Sequence, residues 1–158
     1  HRNPQGLIVI DDIIIETEHG PRGGDEINRI YHNKNYGWPI SSYGVSYNNP
    51  NLTYKKTHTD LDFLEPIYSF IPSIGISEIR QLPTDFWPNY KIKNLFFLSS
   101  LNGKSLFQMK FDDNFEKVIF IEKIFIGQRI RDIVIKPEKK LVILALERPS
   151  KIAIIKPE

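Results

Sequence analysis

The chain has 158 residues, enough for one compact domain with a real core or for part of a larger one. A hydrophobic fraction of 41% and a charged fraction of 25% exclude a disordered chain, and a formal charge of +2 gives no basis for binding nucleic acid or an acidic membrane surface. Cysteine is absent, which excludes disulfides, thiolate metal sites and a cysteine nucleophile, and no apolar run approaches the roughly 20 residues of a spanning helix.

In chain order, "QGLIVI" is the first strand, led in by "RNPQG". "DDIIIETEHGPRGGDEINRI" follows as a turn, an apolar strand, a glycine-rich polar loop and a second strand. The Tyr- and Asn-rich stretch "ISSYGVSYNNPNLTYKKTHTDLDF" reads as a long insertion. Strand signals resume in "GISEIRQL", and "IKNLFFLSSLNGKSLFQMKF" repeats the turn–strand–loop–strand plan, with "KVIFIEKIFI" as an outer strand. "RIRDIVIKP" and "EKKLVILALERPSKIAIIKP" give the plan a third time and stop after three strands.

Units of about four strands, repeating at tens of residues, predict β-propeller blades. Three blades cannot close a ring, so the expectation is an all-β protein forming roughly half of a larger propeller, residues 1–158 being one incomplete domain. The start at His1, without a methionine or a signal peptide, agrees with a fragment or a processed product. In a four-stranded blade, the loop joining strands two and three opens on the same face as the segment entering strand one. "HGPRGGDE", "LNGK" and "ERPS" are therefore expected on the side of "RNPQG", "PSIGIS" and "GQRIR".

These loops carry the chemistry. In "HGPRGGDE", Gly20, Gly23 and Gly24 permit positive φ, Pro21 fixes its own, and Asp25 and Glu26 add anionic oxygens. The loop is either a glycine-rich hairpin with solvated acids or a cradle turning carbonyls toward a hard cation such as calcium. "DDNFE" at 112–116 reads as a turn. Arg129 and Arg131 alternate by two and project on one face of an extended segment. They are either a fork for carboxylate or phosphate, or rim residues paired with neighbouring acids. His19 could be a ligand, a base or a packed loop residue, while His32 and His58 have no partner pattern. Tyr36, Trp38, Tyr43 and Tyr47 are core and rim aromatics or a stacking wall for a flat ligand.

Together the stretches "HRNPQGL", "ETEHGPRGGDEINRI", "KNYGWPISSYG", "DFWPNYKIKNLFFLSSLNG" and "GQRIRD" resemble, in order and over nearly the whole chain, the C-terminal half of the soluble pyrroloquinoline-quinone (PQQ)-dependent sugar dehydrogenases, the glucose/sorbosone dehydrogenase family. The resemblance implies about three blades of a six-bladed propeller. It implies an oxidoreductase that converts the anomeric carbon of an aldose to a lactone with PQQ and calcium, passing electrons to an external acceptor. It places Arg2, Asn3 and Gln5 at the cofactor pocket, Arg2 pairing a PQQ carboxylate. Gly20 and Pro21 would offer carbonyls to the calcium bridging protein and PQQ, and Glu26 and Tyr36 would ligate a calcium that shapes the loop. Asp25 and His19 would line the pocket, Tyr47 would contact the cofactor, and Arg129 and Arg131 would clamp its remaining carboxylates.

Three departures stand out. Asn102 in "SLNG" replaces a cofactor-facing lysine, Ile76 and Glu78 in "PSIGISE" stand where the family has proline and glycine, and Leu146 in "LALE" takes the place of an acid, with Glu147 beside it. The resemblance also assigns the general base to a histidine of the N-terminal half, so the chain by itself is expected to be inactive. The competing expectation is a non-catalytic propeller that keeps calcium and has lost PQQ. A periplasmic or secreted location, no membrane span, no nucleic-acid partner, and homo-oligomerisation or pairing with the N-terminal half complete the expectations.

Overall fold

A computed structural model describes residues 1–49 and 51–157. Contacts divide the chain into two compact units, His1–Ile76 and Ser77–Glu158.

The first unit is one antiparallel sheet in the order β1-β2-β3-β4, built from Pro4–Ile10, Ile13–Glu18, Asp25–Ile30 and Tyr68–Phe70. Period-two alternation sorts its residues into two faces. On one, Ile15, Thr17 and Ile27 are fully buried. The other is also buried but polar: Glu16 lies opposite Asn28, and Glu18 opposite Glu26, across the β2–β3 ladder. A register shift in β1 at Gln5 turns that side chain outward.

The expected insertion falls between β3 and β4 as an excursion, and among its described residues is a 3-10 turn at Thr59–Leu61. It returns to the glycine-rich loop, where Arg22 and Val45 exchange two backbone hydrogen bonds (3.0 and 2.8 Å). His58, which has no partner pattern in the sequence, is fully buried here beneath the Tyr43 ring. Its backbone N–H donates to Glu65 (2.7 Å) and its Nδ1 lies 3.3 Å from the same carboxylate. The short strand β4 closes the blade; the polar insertion hides it in the sequence.

The second unit holds a four-stranded sheet, β5-β6-β7-β8 (Ile76–Gln81, Leu95–Ser100, Ser105–Phe111, Val118–Phe125), and a three-stranded one, β11-β10-β9 (Lys151–Ile155, Leu141–Glu147, Arg129–Lys136). Strand β6, "LFFLSS", is buried along its whole length, whereas β8 is the outer strand, with Phe125 72% exposed. The core lies between the two sheets: Phe97, Leu95 and Leu106 of the first meet Ile130, Ile133, Val142 and Leu144 of the second. Phe86 meets Phe97 edge-on at 6.3 Å. Ser77 Oγ donates to the Ile130 carbonyl (2.7 Å) and ties β5 to β9.

The repeat is therefore three propeller blades, the third with three strands. Loop placement follows the blade rule in each unit. In the first, the His19 N–H donates to the Asn3 carbonyl (3.0 Å), joining the β2–β3 loop to the lead-in of β1. In the second, the Lys104 carbonyl accepts from Ile126 and Gly127 (both 3.0 Å), joining the β6–β7 loop to the lead-in of β9. "DDNFE" is a turn, closed by Asp112, which accepts from the N–H groups of Glu116 and Lys117.

Candidate functional site

The site of the first unit is built on the loop between β2 and β3. Gly24 adopts φ +67, and a Cβ there would come within 2.5 Å of the Gly44 nitrogen. A Cβ on Gly20 would overlap the Gly24 carbonyl. These two glycines fold the loop back on itself and against the excursion, which no other residue type permits.

Asp25 fastens the loop. It is 1% exposed and accepts from the N–H groups of Gly20 (3.2 Å), Ile74 (3.0 Å) and Ile76 (3.0 Å) and from the Ser73 hydroxyl. His19 bonds through Nε2 to the Ile76 carbonyl. Gly20 and Pro21 are buried within this frame. Arg2 donates from Nη1 to the His19 carbonyl (3.0 Å), with its guanidinium 5.3 Å from the Trp38 ring centre. Arg2, Gly20, Glu26, Tyr36 and Trp38 line a common cleft.

Beneath the loop is the polar face of the blade. Glu16, Glu18 and Glu26 are 4%, 3% and 6% exposed. Burial, reinforced by the charge of Glu18, pushes Glu16 up to about 7 and Glu26 up to about 8. For Glu18 burial acts in the same direction but is outweighed: the hydrogen bond with His1 and the N–H groups of Arg2 and Asn3 hold it below its ordinary value. His1 is raised by its bond to Glu18, and its ring stacks on Tyr36 at 4.2 Å. Glu16 Oε1 and Asn28 Oδ1 are buried without a hydrogen-bond partner. Hard, converging carboxylate oxygens so short of compensating charge fit a bound cation, and calcium takes such donors. Tyr36 uses its hydroxyl locally, donating to the Arg29 carbonyl and accepting from the Tyr31 N–H (both 2.8 Å), so any ligand it offers is its carbonyl.

The other sequence-predicted residues are placed as follows. Asn3 lies at the mouth of the loop, its carbonyl taken by His19 and its N–H by Glu18. Gln5 is exposed and bonds locally to Asn3 and Pro4. Tyr47 is 56% exposed, near the Arg22 guanidinium. In the second unit Asn102 is exposed on the β6–β7 loop. Arg129 and Arg131 project to one side across a register shift at Arg131: Arg129 donates from Nε to Glu147 Oε2 (3.2 Å), and Arg131 Nε forms an ion pair with the same oxygen (2.7 Å). These bonds, Arg129's first, hold the Glu147 carboxyl below its ordinary value. Glu78 is tied to Arg80 (2.7 Å) and to the Ile79 N–H (2.9 Å).

Sequence reasoning passed over His1, Glu16, Glu18 and Asn28. A signal was present: two acids spaced by two in "ETE" and an acid and an amide spaced by two in "DEIN" must each line one face of neighbouring strands. What the sequence withholds is that this face is buried.

Comparison with known proteins agrees with this geometry. The Glucose / Sorbosone dehydrogenase family model matches residues 1–154. The chain is 31% identical over 160 residues to the aldose sugar dehydrogenase YliI of Escherichia coli K12, covering 99% of this chain and 42% of that protein. It is 40% identical over 67 residues to quinoprotein glucose dehydrogenase B of Acinetobacter calcoaceticus, covering 39% of this chain and 14% of that protein. A crystal structure of glucose dehydrogenase superposes with a TM-score of 0.84 at 30% identity, covering 100% of this chain and 45% of that one. The chain thus spans less than half the length of these relatives.

Proposed function

The chain belongs to the glucose/sorbosone dehydrogenase family, and from that membership we propose that it forms the cofactor-holding part of a PQQ- and calcium-dependent dehydrogenase that oxidises aldoses at the anomeric carbon to lactones. The observation that carries the reading is the loop of Gly20 and Pro21, fastened by Asp25 above three buried carboxylates. A relative that is 40% identical over 67 residues is named a quinoprotein glucose dehydrogenase.

When bound, PQQ supplies the hydride acceptor, and calcium polarises it. The chain's residues do the rest by binding and orientation. Arg2, steered by the His19 carbonyl and the Trp38 face, is the candidate fork for a PQQ carboxylate. Gly20 and Pro21 would give carbonyl ligands from a loop already shaped for the purpose. Glu26 and the Tyr36 carbonyl would hold the calcium that keeps the loop in place. Asn3, Gln5, His19 and Tyr47 are candidates for the pocket wall, with Asp25 acting through the loop it fastens. In the second unit, Arg129 and Arg131 are gripped through Nε, so their terminal NH2 groups are the candidates for the remaining carboxylates, with Asn102 on the β6–β7 loop that joins their lead-in. The anomeric hydroxyl must lose a proton to a base, and none of these residues is assigned that role. The expected partners are an aldose and an external electron acceptor, in the periplasm or outside the cell. No helix among the described residues is long and apolar enough to cross a membrane.

Titrating the calcium-loaded chain with PQQ, followed by cofactor absorbance, is expected to give saturable binding that Arg2→Ala weakens at least tenfold. A gene product carrying this chain should then reduce a dye with aldoses. No PQQ uptake would favour the second reading, a calcium-keeping propeller without quinone chemistry. Two features support that alternative: Asn102 in place of a cation, and Glu147 already paired with Arg129 and Arg131.

A further inference from the structure

Four side chains on the polar face of the first blade, beside Glu26 and Tyr36, converge with the spacing of a metal site. His1 Nδ1 lies 3.1 Å from Glu18 Oε1 and 3.6 Å from Glu16 Oε2. The Asn28 amide nitrogen lies 3.1 Å from that same Glu18 oxygen and 3.3 Å from that same Glu16 oxygen. One ligand atom from each of His1, Glu16 and Glu18 can be chosen so that all three lie within 4.8 Å of one another. A tetrahedral ion with bonds of about 2.0 Å requires its ligand atoms to stand about 3.3 Å apart. All four cross distances cluster around that spacing.

The amide is the fourth candidate ligand. Asn28 is fully buried, and its Oδ1 has no hydrogen-bond partner while its nitrogen faces the acids. Turning the amide over exchanges the two atoms. It would place a carbonyl oxygen against two carboxylate oxygens, an arrangement that is repulsive unless a cation lies between them. The buried, unpartnered oxygen of Glu16 adds to the same demand.

We infer that His1, Glu16, Glu18 and Asn28 form a tetrahedral site for a divalent transition ion such as zinc, with Asn28 turning its Oδ1 inward on loading. An imidazole among oxygens selects this class of ion over calcium, which takes six to eight oxygens. The inference stands independently of the proposed sugar chemistry.

Cobalt(II) is the probe, because its visible absorption is intense only when the ion is tetrahedral. The chain, with its α-amine acetylated so that the terminus cannot chelate, is titrated with cobalt(II) in the presence of millimolar calcium. The expected result is one equivalent of tetrahedral cobalt, displaced by zinc and not by excess calcium. Glu16→Gln and Asn28→Leu should each weaken binding at least tenfold, and His32→Ala should not. Circular dichroism checks that the variants fold, and the histidine NMR of the unmodified sequence, with a zinc-induced shift confined to His1, gives a readout that needs no variant. Absence of tetrahedral bands, their removal by calcium, or a zinc shift at another histidine would overturn the assignment.

Discussion

Asp25 shows how much one side chain can organise. Its carboxylate satisfies donors at Gly20, Ser73, Ile74 and Ile76, so the loop and the end of the first blade share one acceptor. Asp25→Ala would leave three N–H groups without this acceptor, two of them buried, and is expected to lower stability by about 3 kcal/mol, measured by urea unfolding. Because Gly20 is among those donors, the variant should also lose calcium affinity; unchanged affinity would mean that the loop keeps its shape without the staple. In the sequence Asp25 reads as one more acid in a polar loop, because its partners near residue 75 come close only on folding.

At the scale of the element, the β2–β3 ladder carries a pH dependence with a definite sign. Glu16 and Glu26 titrate in the folded chain at about 7 and about 8, above their ordinary value of 4.5. Between those limits the folded chain holds protons that the unfolded chain has released, so this ladder's contribution to metal-free stability falls as pH rises, while the buried His58, lowered by its burial, acts in the opposite direction below 6.5. His1, raised by Glu18, adds to the fall above 6.5. Glu18 is lowered and acts only below 4.5, outside this window. Melting of the metal-free chain is therefore expected at lower temperature at pH 8 than at pH 5, with calcium reducing the difference. In the second unit, Phe97→Ala should cost about 3–5 kcal/mol, read by the same unfolding assay, because Phe97 fills the core between two sheets. Strands β1–β3 and β5–β11 were legible because their apolar runs are bounded by Gly, Asn and Pro turns. Strand β4 was not, since three residues at the end of a polar excursion carry no period. The buried carboxylates escaped notice for a related reason: alternation predicts a shared face but not whether that face is dry.

For the molecule as a whole, several of the exposed apolar residues lie on strands that end sheets. Leu7 (58%) and Val9 (62%) lie on β1, and Ile152 (68%) and Ile154 (59%) on β11. Strand edges with apolar side chains invite pairing with another chain. Sedimentation at micromolar concentration is expected to show concentration-dependent association that Leu7→Lys with Ile152→Lys abolishes. A monodisperse monomer at all concentrations would contradict this. The family and its propeller were readable because loop sequences such as "EHGPRGGDEIN" are dictated by backbone geometry. The ion pairs of Glu147 with Arg129 and Arg131 were readable only as one of two options, since a guanidinium serves a neighbour and a ligand equally well.

The bridge between Arg22 and Val45 has a thermodynamic consequence. With the glycine loop strapped to the excursion on one side and stapled by Asp25 on the other, its ordering entropy is lost when the chain folds rather than when a ligand arrives. Ligand capture should therefore show only a small heat-capacity change in calorimetry, unlike the large negative change of a segment that folds on binding.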